Sequence, residues 1–309
     1  MESTLWKLKN LLGDEGALAD EPMKAHTSFR IGGPADILLR PRTAAELKDA
    51  LGILREAGIP WRVIGNGSNL LVCDEGISGA VIEVAERFSQ ICADGEHINA
   101  QSGALLSKVA HLALQAELTG FEFAAGIPGT LGGAVVMNAG AYGGEIKDVL
   151  ESVTVLTAEG EVLSLDAGEL DLGYRHSCIP AKGHIVLGVR LKLRKGRLAD
   201  IQATTQDLNQ RRTSKQPLHL PSAGSTFKRP AGHFAGQLIE EAGLKGLRYG
   251  DAQVSDKHCG FVVNLGGASC REVLTLIRLV QRVVANRTGV SLETEVKMIG
   301  RGFDARTDG

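Results

Sequence analysis

The sequence predicts an α+β protein built in more than one unit, and three observations carry that expectation. Short apolar stretches alternate with amphipathic helical stretches through the first 195 residues. The 25 residues Gly120–Gly144 hold eight glycines and neither Lys nor Arg. Near residue 196 the composition shifts to a polar, Gln- and Arg-rich stretch. Glycine at that density costs backbone entropy, so it is kept where the chain turns tightly or approaches something closely. Without basic side chains that partner is not nucleic acid. A flat or phosphate-bearing cofactor, met by peptide N–H groups, fits instead.

Taken in order, residues 1–20 predict an amphipathic leader helix with Leu5, Leu8, Leu11 and Leu12 on one face. Ala35–Pro41 predicts a strand. Thr43 followed three residues on by Glu46 is a capping-box signature for a helix running to about Gly58. Arg62–Gly65 and Gly79–Val84 predict short strands on either side of a polar loop, and Ile98–Gln101 with a helix over Leu105–Glu117 repeats the alternation. Gly126–Gly133 leads into a short helix. Ser152–Leu156 and Val162–Leu165 flank Glu159-Gly160, a hairpin turn signal, and His184–Leu193 closes the region as a strand. Leu198–Ser214 is a polar helix read as a connector. Beyond it come an irregular opening from Pro217, a helix Ala235–Ala242, a strand Gly260–Asn264, a long helix Ser269–Thr288 and a strand-like Glu295–Gly300. The expected division is a leader (1–20), a first domain (21–196), a second (197–303) and a tail (304–309).

Composition excludes several function classes. With 43% hydrophobic and 23% charged residues the chain is globular rather than disordered. A net charge of −2 offers no basic field for nucleic acid or anionic membrane. The N-terminal Met1–Lys7 lacks a signal-peptide pattern, and the apolar runs are too short and Gly-broken to span a bilayer. The five cysteines form no CxxC pair, so neither a metal site nor a disulfide framework is expected, and a reducing cytosol fits.

Several motifs carry chemistry. Gly65-Asn66-Gly67-Ser68-Asn69 follows a strand and suits a pyrophosphate cradle or an ordinary Asn-Gly turn. It is no Rossmann fingerprint, because Leu70 occupies the third glycine position. No GxxxxGK[ST] run is present. Tyr174-Arg175-His176-Ser177 offers an arginine for a solvated ion pair or for a carboxylate in a cleft. Ser225 sits on a Gly-led turn whose neighbours make no GxSxG elbow, and Glu293 and Glu295 share one face of an extended stretch.

These segments together resemble the UDP-N-acetylenolpyruvoylglucosamine reductase family, FAD enzymes that make UDP-N-acetylmuramate for peptidoglycan. The resemblance covers about residues 20–303. It runs in order through His26–Asp36, Gly65–Val72, Gly126–Gly133 with Asn138–Gly143, Tyr174–Ser177, Gly224–Lys228, Ala242–Gly246, Gly260–Asn264 and Glu295–Lys297. Arg229 stands where many relatives carry Asn, which leaves the local substrate contact open. The length resembles the shorter subgroup, which lacks an inserted capping loop.

The resemblance implies an FAD-binding domain of the vanillyl-alcohol-oxidase type in two lobes, with a C-terminal α+β substrate-binding domain. It implies non-covalent FAD, NADPH as co-substrate and UDP-N-acetylglucosamine enolpyruvate as substrate, and it names no protein partner. Gly65–Asn69 would take the pyrophosphate. Gly126, Ile127, Pro128, Gly129 and Thr130 would line the rest of the flavin site with Asn138, Ala139, Gly140 and Ala141. Arg175 and Glu295 match the residues that stabilise an enolate-like species, Glu295 in protonated form, and Ser225 matches the proton donor. Lys228, Lys245 and Asn264 match substrate contacts, and the long C-terminal helix is expected to be scaffold. A flavin oxidase of the same fold would commonly tether its cofactor through a histidine near the first phosphate loop, and Asn66–Asn69 offers none.

Overall fold

A computed structural model describes residues 2–303, so Met1 and the expected 304–309 tail lie outside the described residues. The chain forms two compact units. One comprises Met1–Leu18, Leu38–Asn66 and Val81–Arg212, the other Ala19–Ile37, Gly67–Ala80 and Thr213–Gly309. The linear division at 196/197 is therefore replaced by a discontinuous one. The second unit draws two early segments into its fold, and the chain passes between units within the strands Ala17–Pro22, Pro34–Leu39 and Ile77–Glu83.

In the first unit, helix α1 (Glu2–Leu12) buries Leu8 and Leu12. It stops well short of residue 20. Gly13 takes φ +78°, its N–H donates to Lys9 O at 2.8 Å, and Ala17–Pro22 is extended as the edge strand of a four-stranded sheet. Helix α2 (Ala44–Glu56) begins as its sequence predicts, with the Thr43 side chain accepting from Glu46 N–H. The Glu46 carboxylate instead takes the Arg42 N–H at 2.6 Å, one residue further back than a closed capping box.

The centre of this unit is a five-stranded antiparallel sheet, in spatial order Val162–Asp166, Leu150–Leu156, Ile185–Lys192, His97–Gln101, Ile91–Asp94. The expected hairpin is present, with Gly160 at φ +87° in its turn. Strand His97–Gln101 buries alternate residues, as a half-covered sheet requires. Helices α3 (Leu106–Gln115) and α4 (Leu131–Val136) supply Val109, Leu131 and Val135 to one core with Ile98, Val153 and Val189. Each such side chain contributes about 1.5–3 kcal/mol on burial. Helix α5 (Leu198–Lys215) buries only Ile201, in keeping with its polar sequence.

In the second unit, a three-stranded antiparallel sheet (Arg248–Tyr249, Ala252–Val254, Val262–Asn264) shares a core with α6 (Ala235–Glu241) and α7 (Cys270–Thr288). The amphipathic α7 buries Val273, Leu276, Ile277, Val280 and Val284, the scaffold role expected of it. The early segments are stitched in at two points. Leu70–Val72, expected as loop, is a strand paired in parallel with Lys297–Ile299. Asp74 accepts the first two N–H groups of α7, from Cys270 at 2.7 Å and Arg271 at 3.0 Å, while Ser269 and Glu272 close a capping box.

That helix start has no spare acceptor. Asp74→Ala should lower the unfolding free energy by about 1–2 kcal/mol, the usual cost of a lost cap, measured by urea denaturation. An unchanged midpoint at unchanged slope would show that solvent replaces the carboxylate.

Candidate functional site

In the first unit, the beginning of the phosphate-type loop lies on the Gly-rich segment. A Cβ on Gly65 would sit 2.2 Å from Thr130 Oγ1, so glycine is required for the approach. Thr130 is buried and N-caps α4, its Oγ1 accepting the Gly133 N–H. Leu131 N–H donates to Ala104 O at 2.8 Å and Gly132 N–H to Ser102 O at 2.7 Å. A Cβ on Gly132 would lie 2.7 Å from that of Ser102. Gly65, Gly126–Thr130 and α4 thus form one cradle of main chain. Other glycines answer to turns: Tyr142 (φ +54°) and Gly143 (φ +89°) link Gly140–Ala141 to Gly144–Glu145 as a two-residue hairpin of primed type.

Two buried polar atoms at this cradle have no partner, Ser102 Oγ and Arg212 Nε. Arg212 comes from α5, where sequence reading saw only a connector. Its side chain runs against Gly126, at which a Cβ would lie 2.9 Å from Arg212 Cδ. Burial lowers its pKa, opposed by nearby Tyr142. A desolvated cation with an unused donor beside glycine-bared main chain suits an anionic, carbonyl-bearing cofactor such as FAD. The available signal was the Arg211-Arg212 pair just before the irregular Pro217 stretch, but a polar helix usually carries such pairs on its solvated face.

Asn138 ends α4 in the left-handed region, at φ +40°, and its side chain is wholly committed to protein. Nδ2 donates to Glu145 Oε2 and Gly173 O, both at 3.0 Å, and Oδ1 accepts the Lys147 N–H at 3.0 Å. The Glu145 pKa is lowered, first by the Lys147 ammonium and also by Asn138 and Arg175. Both amide donors of Asn138 are therefore engaged by protein. Arg175 occupies the third position of the turn Gly173–His176, at φ +55°, with its guanidinium 5.0 Å from the centroid of Tyr174. Such a position normally favours Gly or Asn, and strain of this kind gathers at functional residues.

The second unit holds the remaining candidates. Gly67 has φ +58°, and a Cβ there would strike His26 O at 2.1 Å. Asn69 Nδ2 donates to Glu295 O at 3.1 Å, and Lys297 N–H donates to Asn69 O at 2.9 Å. Ser225 follows Gly224, itself at φ +74°. Glu295 N–H donates to Thr226 O at 2.9 Å and Lys228 N–H to Glu293 O at 2.9 Å, around an antiparallel bridge between Phe227 and Thr294. Ser225 and Glu295 are thereby brought onto neighbouring extended segments, both half-buried.

Lys228 pairs with Glu293 at 3.0 Å and Lys245 with Glu240 at 2.8 Å. These are exposed pairs that an anionic ligand displaces at little cost. Asn264 differs. It is buried, donates to Phe29 O at 3.1 Å and accepts from Gly266 and Ala268 N–H at 2.8 and 3.0 Å. Its side chain shapes the 264–268 loop, with its oxygen and one amide hydrogen engaged by main chain. No group of three or more His, Cys, Asp or Glu among the described residues is placed to hold a metal. No helix among them is long and apolar enough to cross a membrane.

The Gly65–Thr130 approach is testable. Gly65→Ala should force the loop off Thr130, at the roughly 1–3 kcal/mol of an overpacked contact. Purified protein should then carry about a tenth or less of the wild-type flavin, with unchanged far-UV circular dichroism. Full flavin occupancy would mean that the approach is not needed for binding.

The chain is similar to known proteins over most of its length. Residues 35–166 match an FAD binding domain profile, and residues 216–299 match that of the UDP-N-acetylenolpyruvoylglucosamine reductase C-terminal domain. The chain is 53% identical over 293 residues to the UDP-N-acetylenolpyruvoylglucosamine reductase of Clostridioides difficile strain 630, covering 95% of this chain and 96% of that one. It is 54% identical over 297 residues to that of Agathobacter rectalis, covering 92% and 94%. A crystal structure of UDP-N-acetylenolpyruvylglucosamine reductase from Thermus caldophilus matches with a TM-score of 0.78 at 40% identity, over 91% of this chain and 97% of that one. With both profiles matched in order and relatives above 50% identity over nearly its whole length, the chain belongs to the UDP-N-acetylenolpyruvoylglucosamine reductase family.

Proposed function

We infer that this protein reduces UDP-N-acetylglucosamine enolpyruvate to UDP-N-acetylmuramate, using NADPH and non-covalently bound FAD, in peptidoglycan precursor synthesis. Family membership supports the reaction. The observation that most supports its chemistry here is the placement of a hydroxyl, Ser225, and a carboxyl, Glu295, on adjacent hydrogen-bonded segments.

Bound FAD supplies hydride transfer, from NADPH in one half-reaction and to the methylene carbon of the enolpyruvyl ether in the other. On the protein side, Gly65–Asn69 would hold the pyrophosphate. Gly126–Thr130 and the main chain of Asn138–Ala141 would hold the ring system, with the unpartnered donors of Ser102 and Arg212 turned to its polar atoms. Lys228 and Lys245 exchange their surface glutamates for the substrate diphosphate as point charges.

Addition of hydride at the methylene carbon builds negative charge on the neighbouring carbon and its carboxylate. Arg175 neutralises that charge. Glu295 assists only with a proton in place, since a bare carboxylate would repel it. Ser225 then gives its proton to the carbon bearing the ether oxygen, completing the lactyl group, and is reprotonated from solvent. A serine hydroxyl is a weak acid, which suits it to a strongly basic carbanion alone.

Ser225→Ala should leave flavin bleaching by NADPH near the wild-type rate and slow recovery by the enolpyruvyl ether by ~10²-fold or more, as loss of a general acid does. Equal loss in both half-reactions would make Ser225 structural. Glu295→Gln keeps a hydrogen-bond donor but releases no proton, so a wild-type recovery rate in that variant would exclude proton handling by Glu295.

A further inference from the structure

Arg175 stands on the shortest possible support, a turn of four residues closed by two main-chain bonds between Gly173 and His176, at 3.1 and 3.2 Å. A bulky residue at φ +55° holds there only where its surroundings over-determine the turn. Two ties to the end of α4 do so. Asn138 Nδ2 donates to Gly173 O at 3.0 Å, and Ser177 Oγ donates to Val136 O at 2.8 Å. One holds the first residue of the turn and the other the residue that follows it.

We propose that Asn138 is a positioning residue for Arg175, its carboxamide clamping the Gly173–His176 turn onto the end of α4. The proposal rests on the role inferred above for Arg175. The residue type is specified by two demands together. Asn tolerates the left-handed backbone that α4 needs to end here. Its amide also presents two donors, one for Gly173 O and one for Glu145, while its oxygen takes Lys147 N–H. Asp accepts the same backbone but loses both donors and sets a like charge against Glu145. Gly accepts the backbone and supplies nothing. Glu145 is itself held by Lys147 at 2.8 Å, so the amide has a fixed anchor on the far side from the turn. At its other end α4 starts at Thr130, against which Gly65 packs. One helix of six residues therefore carries both the cofactor cradle and the arginine turn.

The test uses the full-length holoenzyme and separates the half-reactions by rapid mixing. Asn138→Gly and Asn138→Asp should slow flavin recovery by the enolpyruvyl ether by ~10- to 100-fold, the cost of a group misplaced by about 1 Å. Bleaching by NADPH should slow by a clearly smaller factor, since the Asn138 main chain also belongs to the inferred flavin site. Placed on an Arg175→Met background, Asn138→Gly should add no further loss, because its effect passes through Arg175. Multiplying losses in the double variant, or equal slowing of both half-reactions, would overturn the proposal. If the Asn138 variants do not fold, Ser177→Ala removes only the outer tie and should give a smaller loss confined to recovery; no loss there would count against the clamp. Failure of the functional reading looks different, since the wild-type flavin would then not recover with the enolpyruvyl ether at all.

Discussion

The parallel pairing of Leu70–Val72 with Lys297–Ile299 is the constraint on which the second unit depends. It joins partners 227 positions apart, closed by the Asn69 amide on Glu295 O. On one side of the join stands the phosphate-type loop, with Gly67 folded onto His26. On the other stands Glu295, whose N–H holds the Ser225 segment through Thr226. Two residues past the strand, Asp74 takes the start of α7 and so fixes the helix that fills the core. One early segment of the chain thus sets the loop, the carboxyl and the scaffold together. It also explains why the unit is discontinuous in sequence.

Glycine and asparagine do in this protein what charged side chains do in many binding sites. Gly65 and Gly132 bring main chain against Thr130 and Ser102 because a Cβ would not fit. The result is a polar surface made of peptide groups, suited to the inferred cofactor site without a field of lysines. The asparagines work inward. Asn69, Asn138 and Asn264 each give an amide hydrogen bond to main chain, fixing respectively the Glu295 strand, the Arg175 turn and the 264–268 loop. Stability and chemistry meet in the first two side chains. Asn69 and Asn138 hold backbone segments that carry a residue assigned to the reaction.

The locally specified parts were legible in the sequence. Thr43 and Ser269 mark helix starts, Glu159-Gly160 a hairpin, and the heptad-like apolar face of α7 a buried helix, because capping, turn type and periodicity are short-range physics. The leader helix was extended too far because Ala17–Pro22 becomes a strand only by pairing at a sheet edge. Leu70–Val72 read as loop for the same reason, its partner lying at the far end of the chain. Family resemblance named Arg175, Ser225 and Glu295, but residue type alone did not separate an amide facing a ligand from one facing main chain. Asn138 and Asn264 match binding residues by type, and their side chains also tie down main chain, which sequence does not reveal. Arg212 was hidden in the opposite way, on a helix whose polarity resembles a solvated linker.

The central claim is that this chain carries FAD between NADPH and an enolpyruvyl ether. The most direct measurement is the absorption spectrum of the purified protein under anaerobic conditions, first with NADPH and then with UDP-N-acetylglucosamine enolpyruvate. Yellow flavin should bleach with NADPH and return in full with the enolpyruvyl ether. Bleaching that only oxygen reverses, or protein that neither carries nor takes up FAD, would contradict it.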